Sequence, residues 1–136
     1  MKKLFILVAA MLFSFSALSQ STVQVFPQSA SEPKEGASYK LFPTVNMWTF
    51  IKLDTRNGRL WQVQFSVENA DYRYESPLSL VKRVETNEEI NGRFTLYPTE
   101  NYHTFIMLDQ IDGRTWQVQW ATEPKNRGVV FIPSPY

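Results

Sequence analysis

One stretch of this sequence is written twice. Tyr39 to Phe65 reads YKLFPTVNMWTFIKLDTRNGRLWQVQF, and 55 residues further on Phe94 to Trp120 reads FTLYPTENYHTFIMLDQIDGRTWQVQW. Fifteen of the 27 aligned positions are identical without a gap, among them Pro43/Pro98, Asp54/Asp109, Gly58/Gly113 and the Trp-Gln-Val-Gln runs starting at Trp61 and Trp116. A tandem copy of this period restricts the fold more than any other feature. Both units must take up one local structure, and neither has a second layer of its own to cover an apolar face.

Each copy parses as strand, turn, strand, hairpin, strand. Pro43-Thr44-Val45-Asn46 and Pro98-Thr99-Glu100-Asn101 read as turns, because Pro presets φ and Asn tolerates turn conformations. Asn57-Gly58 and Asp112-Gly113 mark hairpins between alternating segments. A three-residue loop ending in a left-handed Gly predicts Leu53 opposite Trp61, Ile51 opposite Val63 and Thr49 opposite Phe65. In the second copy it sets Leu108 opposite Trp116, Ile106 opposite Val118 and Thr104 opposite Trp120. That register gathers the strongly apolar pairs on one face, as period-two strands require. Trp61/Trp116 and Phe65/Trp120 then become duplicated core positions. Tyr72–Pro77 and Val129–Pro133 look extended as well and add a fourth strand to each copy. The expected fold is all-β: two tandem antiparallel repeats of three to four strands, packed as a pseudo-twofold sandwich or a partly open barrel.

The N-terminus reads as an export signal. Met1-Lys2-Lys3 is basic, Leu4 to Phe15 is apolar apart from Ser14, and Ala17-Leu18-Ser19 supplies small residues for cleavage. The expected organisation is a signal peptide over 1–19, a flexible leader over 20–38, and one β domain over 39–136 made of repeats at about 39–91 and 92–136. Cleavage removes Lys2 and Lys3, leaving 12 basic against 13 acidic groups, a net charge of −1. A near-neutral chain lacks the Lys/Arg excess that coats nucleic acid. No other segment is apolar enough to anchor the processed chain as a membrane helix. These features place the protein in the periplasm or outside the cell. With no Cys there is no disulfide, thiolate metal site or thiol nucleophile, so the fold rests on its core. Aromatics, 15% of the chain, suit that task.

The hairpin Ile51-Lys52-Leu53-Asp54-Thr55-Arg56-Asn57-Gly58-Arg59-Leu60-Trp61 resembles that of quinoprotein-type β-propeller blades, in which Leu-Asp, a Gly-Lys/Arg turn and Trp recur. The resemblance implies a propeller, and a propeller of four or more blades requires a two-copy chain to self-associate. The longer pattern YPT…TFIxLD…GRxWQVQ resembles small uncharacterised bacterial secreted proteins, which implies location and fold.

Few residues suggest chemistry. His103, the sole His, stands where the first copy has Trp48, without the clustered ligands of a metal site or the partners of a triad. Asp54 and Asp109 flank the hairpins, where Asp most often bonds locally; their alternative role is as carboxylates of a hydrolase. Arg59 and Arg114 follow the turn Gly, as charged residues at hairpin ends or as an anion-binding pair. No phosphate-cradling loop, nucleophile elbow or calcium loop is present, and the chain reads as a non-enzyme with no cofactor and no metal. The face opposite the expected core carries Trp48, Phe50, Lys52, Gln62 and Gln64 in one copy, and His103, Phe105, Met107, Gln117 and Gln119 in the other. Rings beside amides suit a glycan or a peptide. The expectation is therefore an exported binding module for an unknown protein or carbohydrate, working through Trp48, Phe50, Gln62, Gln64, His103, Phe105, Gln117 and Gln119. The alternatives are a half-solvated sheet face with no ligand, a homodimer burying it, a carboxylate-dependent hydrolase, and an envelope structural protein that self-associates through sheet edges.

Overall fold

The structure is a computed structural model that describes residues 36–135; the expected signal peptide and most of the leader lie outside the described residues. Eight strands form two four-stranded antiparallel meanders. β1 (Tyr39–Pro43), β2 (Thr49–Asp54), β3 (Leu60–Gln64) and β4 (Tyr74–Ser79) make sheet 1 in sequence order. β5 (Phe94–Pro98), β6 (Thr104–Asp109), β7 (Thr115–Gln119) and β8 (Gly128–Ile132) make sheet 2 in the same way. The all-β expectation and the fourth strand of each copy hold. The sheets stack as a sandwich and do not close into a barrel.

The repeated turn residues each have a bonding role. In the first copy the Thr44 hydroxyl donates to the Thr49 carbonyl at 2.9 Å and accepts from Asn46 N–H at 3.1 Å, while Asn46 Oδ1 accepts from Trp48 N–H at 3.0 Å. Thr99 and Asn101 repeat all three bonds around His103. Thr and Asn side chains thus satisfy the polar backbone between the first two strands.

The hairpin loop is one residue longer than expected, and the register differs accordingly. Asp54 N–H donates to the Arg59 carbonyl at 2.9 Å, which closes a four-residue loop, Thr55 to Gly58. The physical reason is Asp54 itself. Its carboxylate is buried and takes the Arg56 N–H at 3.1 Å, fixing the chain immediately after the strand. Leu53 consequently faces Leu60, Lys52 faces Trp61, and Ile51 faces Gln62. In sheet 2, Met107 faces Trp116 and Ile106 faces Gln117. A one-residue change in pairing moves all of β3 and β7 to the other side of their partners.

Gly58 and Gly113 both adopt φ of +79°, a left-handed conformation disfavoured for other residues. A Cβ at Gly58 would meet Arg83 Cγ at 2.9 Å and the Phe94 ring at 3.4 Å, whereas at Gly113 nothing lies within 4 Å. Gly113→Ala is therefore expected to lose about 1–2 kcal/mol from backbone strain alone. Gly58→Ala should lose about 1 kcal/mol more from overpacking. Urea unfolding of the two variants checks the order.

The two copies bury opposite faces. Sheet 1 turns Ile51, Leu53, Leu60 and Gln62 inward. Sheet 2 turns Phe105, Met107, Trp116 and Val118 inward, with Leu96, Phe94 and Trp120. Ile106 and Leu108, identical in type to Ile51 and Leu53, lie half-buried on the outside of sheet 2. Phe50, Trp61 and Val63 lie half-buried on the outside of sheet 1. The expected pseudo-twofold would bury one face of both copies, so the repeats stack head to tail instead. The arrangement also corrects the core assignment: Trp116 and Trp120 are in the core, while Trp61 and Phe65 are on the outer face. The connection between the sheets covers the first hairpin loop through Arg83 N–H to the Asn57 carbonyl at 2.8 Å and Phe94 N–H to the Thr55 carbonyl at 2.7 Å. Val84 on this connection is buried against the core. Ala37 and Ser38 accept hydrogen bonds from Thr55, which ties the end of the leader to the same loop.

Candidate functional site

The longer loop separates the aromatic half of the expected binding surface from its amide half. Phe50 and Trp48 lie on the outer side of sheet 1. Gln62, with 4% exposure, points into the sandwich, where its Oε1 accepts from Ala121 N–H at 3.1 Å. Gln64 shares the Gln62 side and accepts from the Tyr74 hydroxyl at 2.8 Å. In sheet 2 the sides are exchanged. Phe105 is buried, and His103 sits at the exposed rim of its face with its ring 5.0 Å from Trp120. Gln117 is exposed on the opposite, outward side, and Gln119 donates to the Asn126 carbonyl at 3.1 Å. The eight residues do not converge on one surface.

What does converge is the outer face of sheet 1. Leu41, Lys52, Trp61 and Pro77 form one cross-strand row; Pro43, Phe50, Val63 and Glu75 form the next. Lys52 pairs with Glu75, and its ammonium lies 4.6 Å from the Trp61 ring centroid, a cation–π geometry. Towards the Pro-Thr-x-Asn turn, the Phe65 ring packs at a tilt against Trp48 and Phe50, with centroids 5.2 Å and 6.2 Å away. Beside these rings a shallow hollow of about 250 Å³ is lined by Asn46, Trp48, Gln64, Phe65, Ser66, Tyr72 and Thr122. Trp61, Val63 and Leu41 were missing from the expected surface. One signal in the sequence distinguishes their face: the copies differ there by Lys52 against Met107, and a lysine suits a face open to water.

Asp54 and Asp109 are structural centres of the two hairpins. Asp54 holds Arg56 through Nε at 2.9 Å and Nη2 at 2.9 Å, Arg59 through Nη2 at 3.2 Å, and Asn57 Nδ2 at 3.1 Å. Burial raises its pKa, but hydrogen bonds from the Arg56 side chain and backbone and from Arg59 outweigh that and hold it below the ordinary carboxylate range. A lowered folded pKa stabilises the fold fully above the unfolded value of about 3.9 and loses that contribution as pH falls through the folded value. The Asp54→Asn variant is therefore expected to show a shallower loss of stability on acidification below about pH 4 than the parent. Thermal melts across pH 2–6 test the difference. Asp109 takes a different partner, because Ile111 replaces Arg56: Arg93, from the connection, donates Nε to both carboxylate oxygens at 3.0 Å. Asp109 in turn holds the Arg93 guanidinium above its ordinary pKa. Arg59 and Arg114 lean on these aspartates, at 3.2 Å and 3.5 Å, and do not converge as an anion-binding pair.

Among the described residues, no group of three or more His, Asp or Glu side chains could hold a metal ion, and no helix is long and apolar enough to cross a membrane. Comparison of the chain with protein-family models, with curated proteins and with solved structures found no match. The class rests on the molecule alone: an all-β sandwich of two tandem four-stranded sheets.

Proposed function

We propose that the protein is an exported, non-enzymatic interaction module whose working surface is the outer face of sheet 1. The observation that carries this reading is the apolar patch that Leu41, Phe50, Trp61 and Val63 make across two neighbouring cross-strand rows, ending in the Trp48–Phe65 ring pair, with no layer packed on it among the described residues. Contiguous apolar area of this kind is uncommon on a monomer unless it meets a partner. Export is supported by the basic, apolar and small-residue order of residues 1–19. A carboxylate-dependent hydrolase draws little support, because Asp54 and Asp109 are fully buried and engaged by Arg and backbone donors.

A glycan is the second reading, favoured by the hollow beside Trp48, where exposed rings stand next to the amides of Gln64 and Asn46. Two variants separate the readings. Immobilised Trp61→Ala protein should lose capture of macromolecules from the exported fraction, while Trp48→Ala should lose retention on a glycan array if the hollow is the site. Folding of both is followed by circular dichroism. Binding indistinguishable from the parent in both variants would contradict both surfaces.

A further inference from the structure

The junction between the two sheets is represented a second time, unmatched, on the outside of the molecule. Inside, Ile51, Leu53 and Gln62 of sheet 1 oppose the face of sheet 2 that carries Phe105, Trp116 and Val118. Outside, sheet 2 presents Ile106, Leu108 and Gln117, and sheet 1 presents Phe50, Trp61 and Val63. Every one of these six is identical in type to its buried counterpart 55 residues away. One end of the chain thus bears a copy of one half of the junction, and the other end bears a copy of the other half.

The polar parts of the junction recur too. Inside, Ala121 N–H donates to Gln62 Oε1. The counterparts are Ser66 N–H and the Gln117 amide, and neither makes a hydrogen bond among the described residues. Inside, Phe94 N–H reaches across the sheets to the Thr55 carbonyl. The counterparts are Tyr39 and Gln110. Thr55 N–H bonds Ser38 O, so in the alternating antiparallel ladder the Tyr39 N–H points away from β2 and has no acceptor among the described residues. The hairpin loop tells the same story: Thr55, Asn57 and Gly58 are buried under the connection, whereas Gln110 to Gly113 are exposed.

We infer that the partner of this surface is a second copy of the chain, stacked head to tail so that the outer face of sheet 2 in one copy covers the outer face of sheet 1 in the next. The inference rests on the interaction-module reading and names its partner. The substitutions that distinguish the outer faces suit a junction made between separate molecules. Thr115 replaces Leu60 and Lys52 replaces Met107, which keeps each face wettable before docking. Lys52 already carries Glu75 as its counter-ion, which limits the cost of covering it. A head-to-tail contact uses two different surfaces, so repetition builds a ring when the rotation closes. Radially stacked four-stranded sheets close at about four to eight sheets, or about two to four chains.

The test is sedimentation velocity on the full-length, natively processed chain across a hundredfold range of concentration, with Val63→Arg and Leu108→Arg variants. The parent should sediment as a discrete species of about two to four chains. Each variant alone should be monomeric and folded by circular dichroism, since each has lost one half of the contact. Mixed in equal amounts they should form one heterodimer and nothing larger, the intact half of each docking on the other. A parent that stays monomeric at every concentration overturns the inference, whether residues 20–35 or a foreign partner cover the faces. Continued self-association of Leu108→Arg while Val63→Arg is monomeric overturns it as well, because that is a twofold contact through sheet 1 alone. If the parent is monomeric but Val63→Arg still loses capture of exported macromolecules, self-association falls and the interaction module stands. If Val63→Arg changes neither mass nor capture, both fall.

Discussion

Arg93→Ala should destabilise the fold by about 3–5 kcal/mol, and the effect should come almost entirely from the carboxylate it leaves behind. Arg93 is 7% exposed, donates to Asp109 through Nε at 3.0 Å, and ties the connection down through Nη1 to the Glu88 carbonyl at 3.0 Å. Without it the fully buried Asp109 keeps only Arg114, at 3.5 Å, and backbone donors such as Ile111 N–H at 3.0 Å. Arg56→Ala is the informative contrast. Arg56 is about a third exposed, and its removal leaves Arg59 on Asp54, so a loss of only about 1 kcal/mol is expected. For a domain of this size a 3 kcal/mol loss lowers the melting temperature by roughly 10–20 °C. Urea midpoints at unchanged m-value separate the two cases; equal small losses would show that Asp109 finds compensation elsewhere.

Trp116→Ala should lose about 3–5 kcal/mol, while Trp61→Ala, at the corresponding position of the other copy, should lose about 1 kcal/mol. Trp116 is 6% exposed and packs against Phe94 at 6.0 Å and Phe131 at 5.7 Å between centroids. Trp61 lies on the outer face, where its removal from a dilute, unassembled chain forfeits chiefly the contacts of Lys52 and Arg59 with its ring. The order should invert for the leucines: Leu53→Ala should cost about 2–5 kcal/mol and Leu108→Ala distinctly less, since only Leu53 is fully buried. Matching losses within either pair would show that both copies bury the same face.

The duplication made the strands, the Pro-Thr-x-Asn turns and the fourth strand of each copy legible in the sequence. Loop length was not legible. Asn57-Gly58 and Asp112-Gly113 mark a hairpin, but only the buried Asp54 carboxylate, bonded to Arg56 N–H, shows that the loop closes between Asp54 and Arg59. That single residue exchanges the faces of Trp61 and Gln62, and with them the candidate surface. The choice of opposite faces was hidden for a different reason. Trp-Gln-Val-Gln offers alternating residues to both sides, and an identical run cannot say which side is covered. The differences between copies carry that information. Leu60 against Thr115 makes the buried side of sheet 1 the more apolar, and Met107 against Lys52 does the same for sheet 2. Long-range pairing of Arg93 with Asp109 left no local signature, because a connection residue meets a hairpin 16 positions away.

Burial of opposite faces by two copies of one sequence is the centre of the molecule's organisation, and the absence of native cysteine makes it directly measurable. Single Val63→Cys, Val118→Cys, Gln62→Cys and Gln117→Cys variants, each in a monomeric Leu108→Arg chain, can be labelled with a thiol reagent under native conditions. Val63→Cys and Gln117→Cys should react quickly, whereas Val118→Cys and Gln62→Cys should be protected to the extent that the sandwich stays closed. Equal rates at Val63 and Val118, and at Gln62 and Gln117, would contradict head-to-tail stacking and return the two sheets to a twofold sandwich.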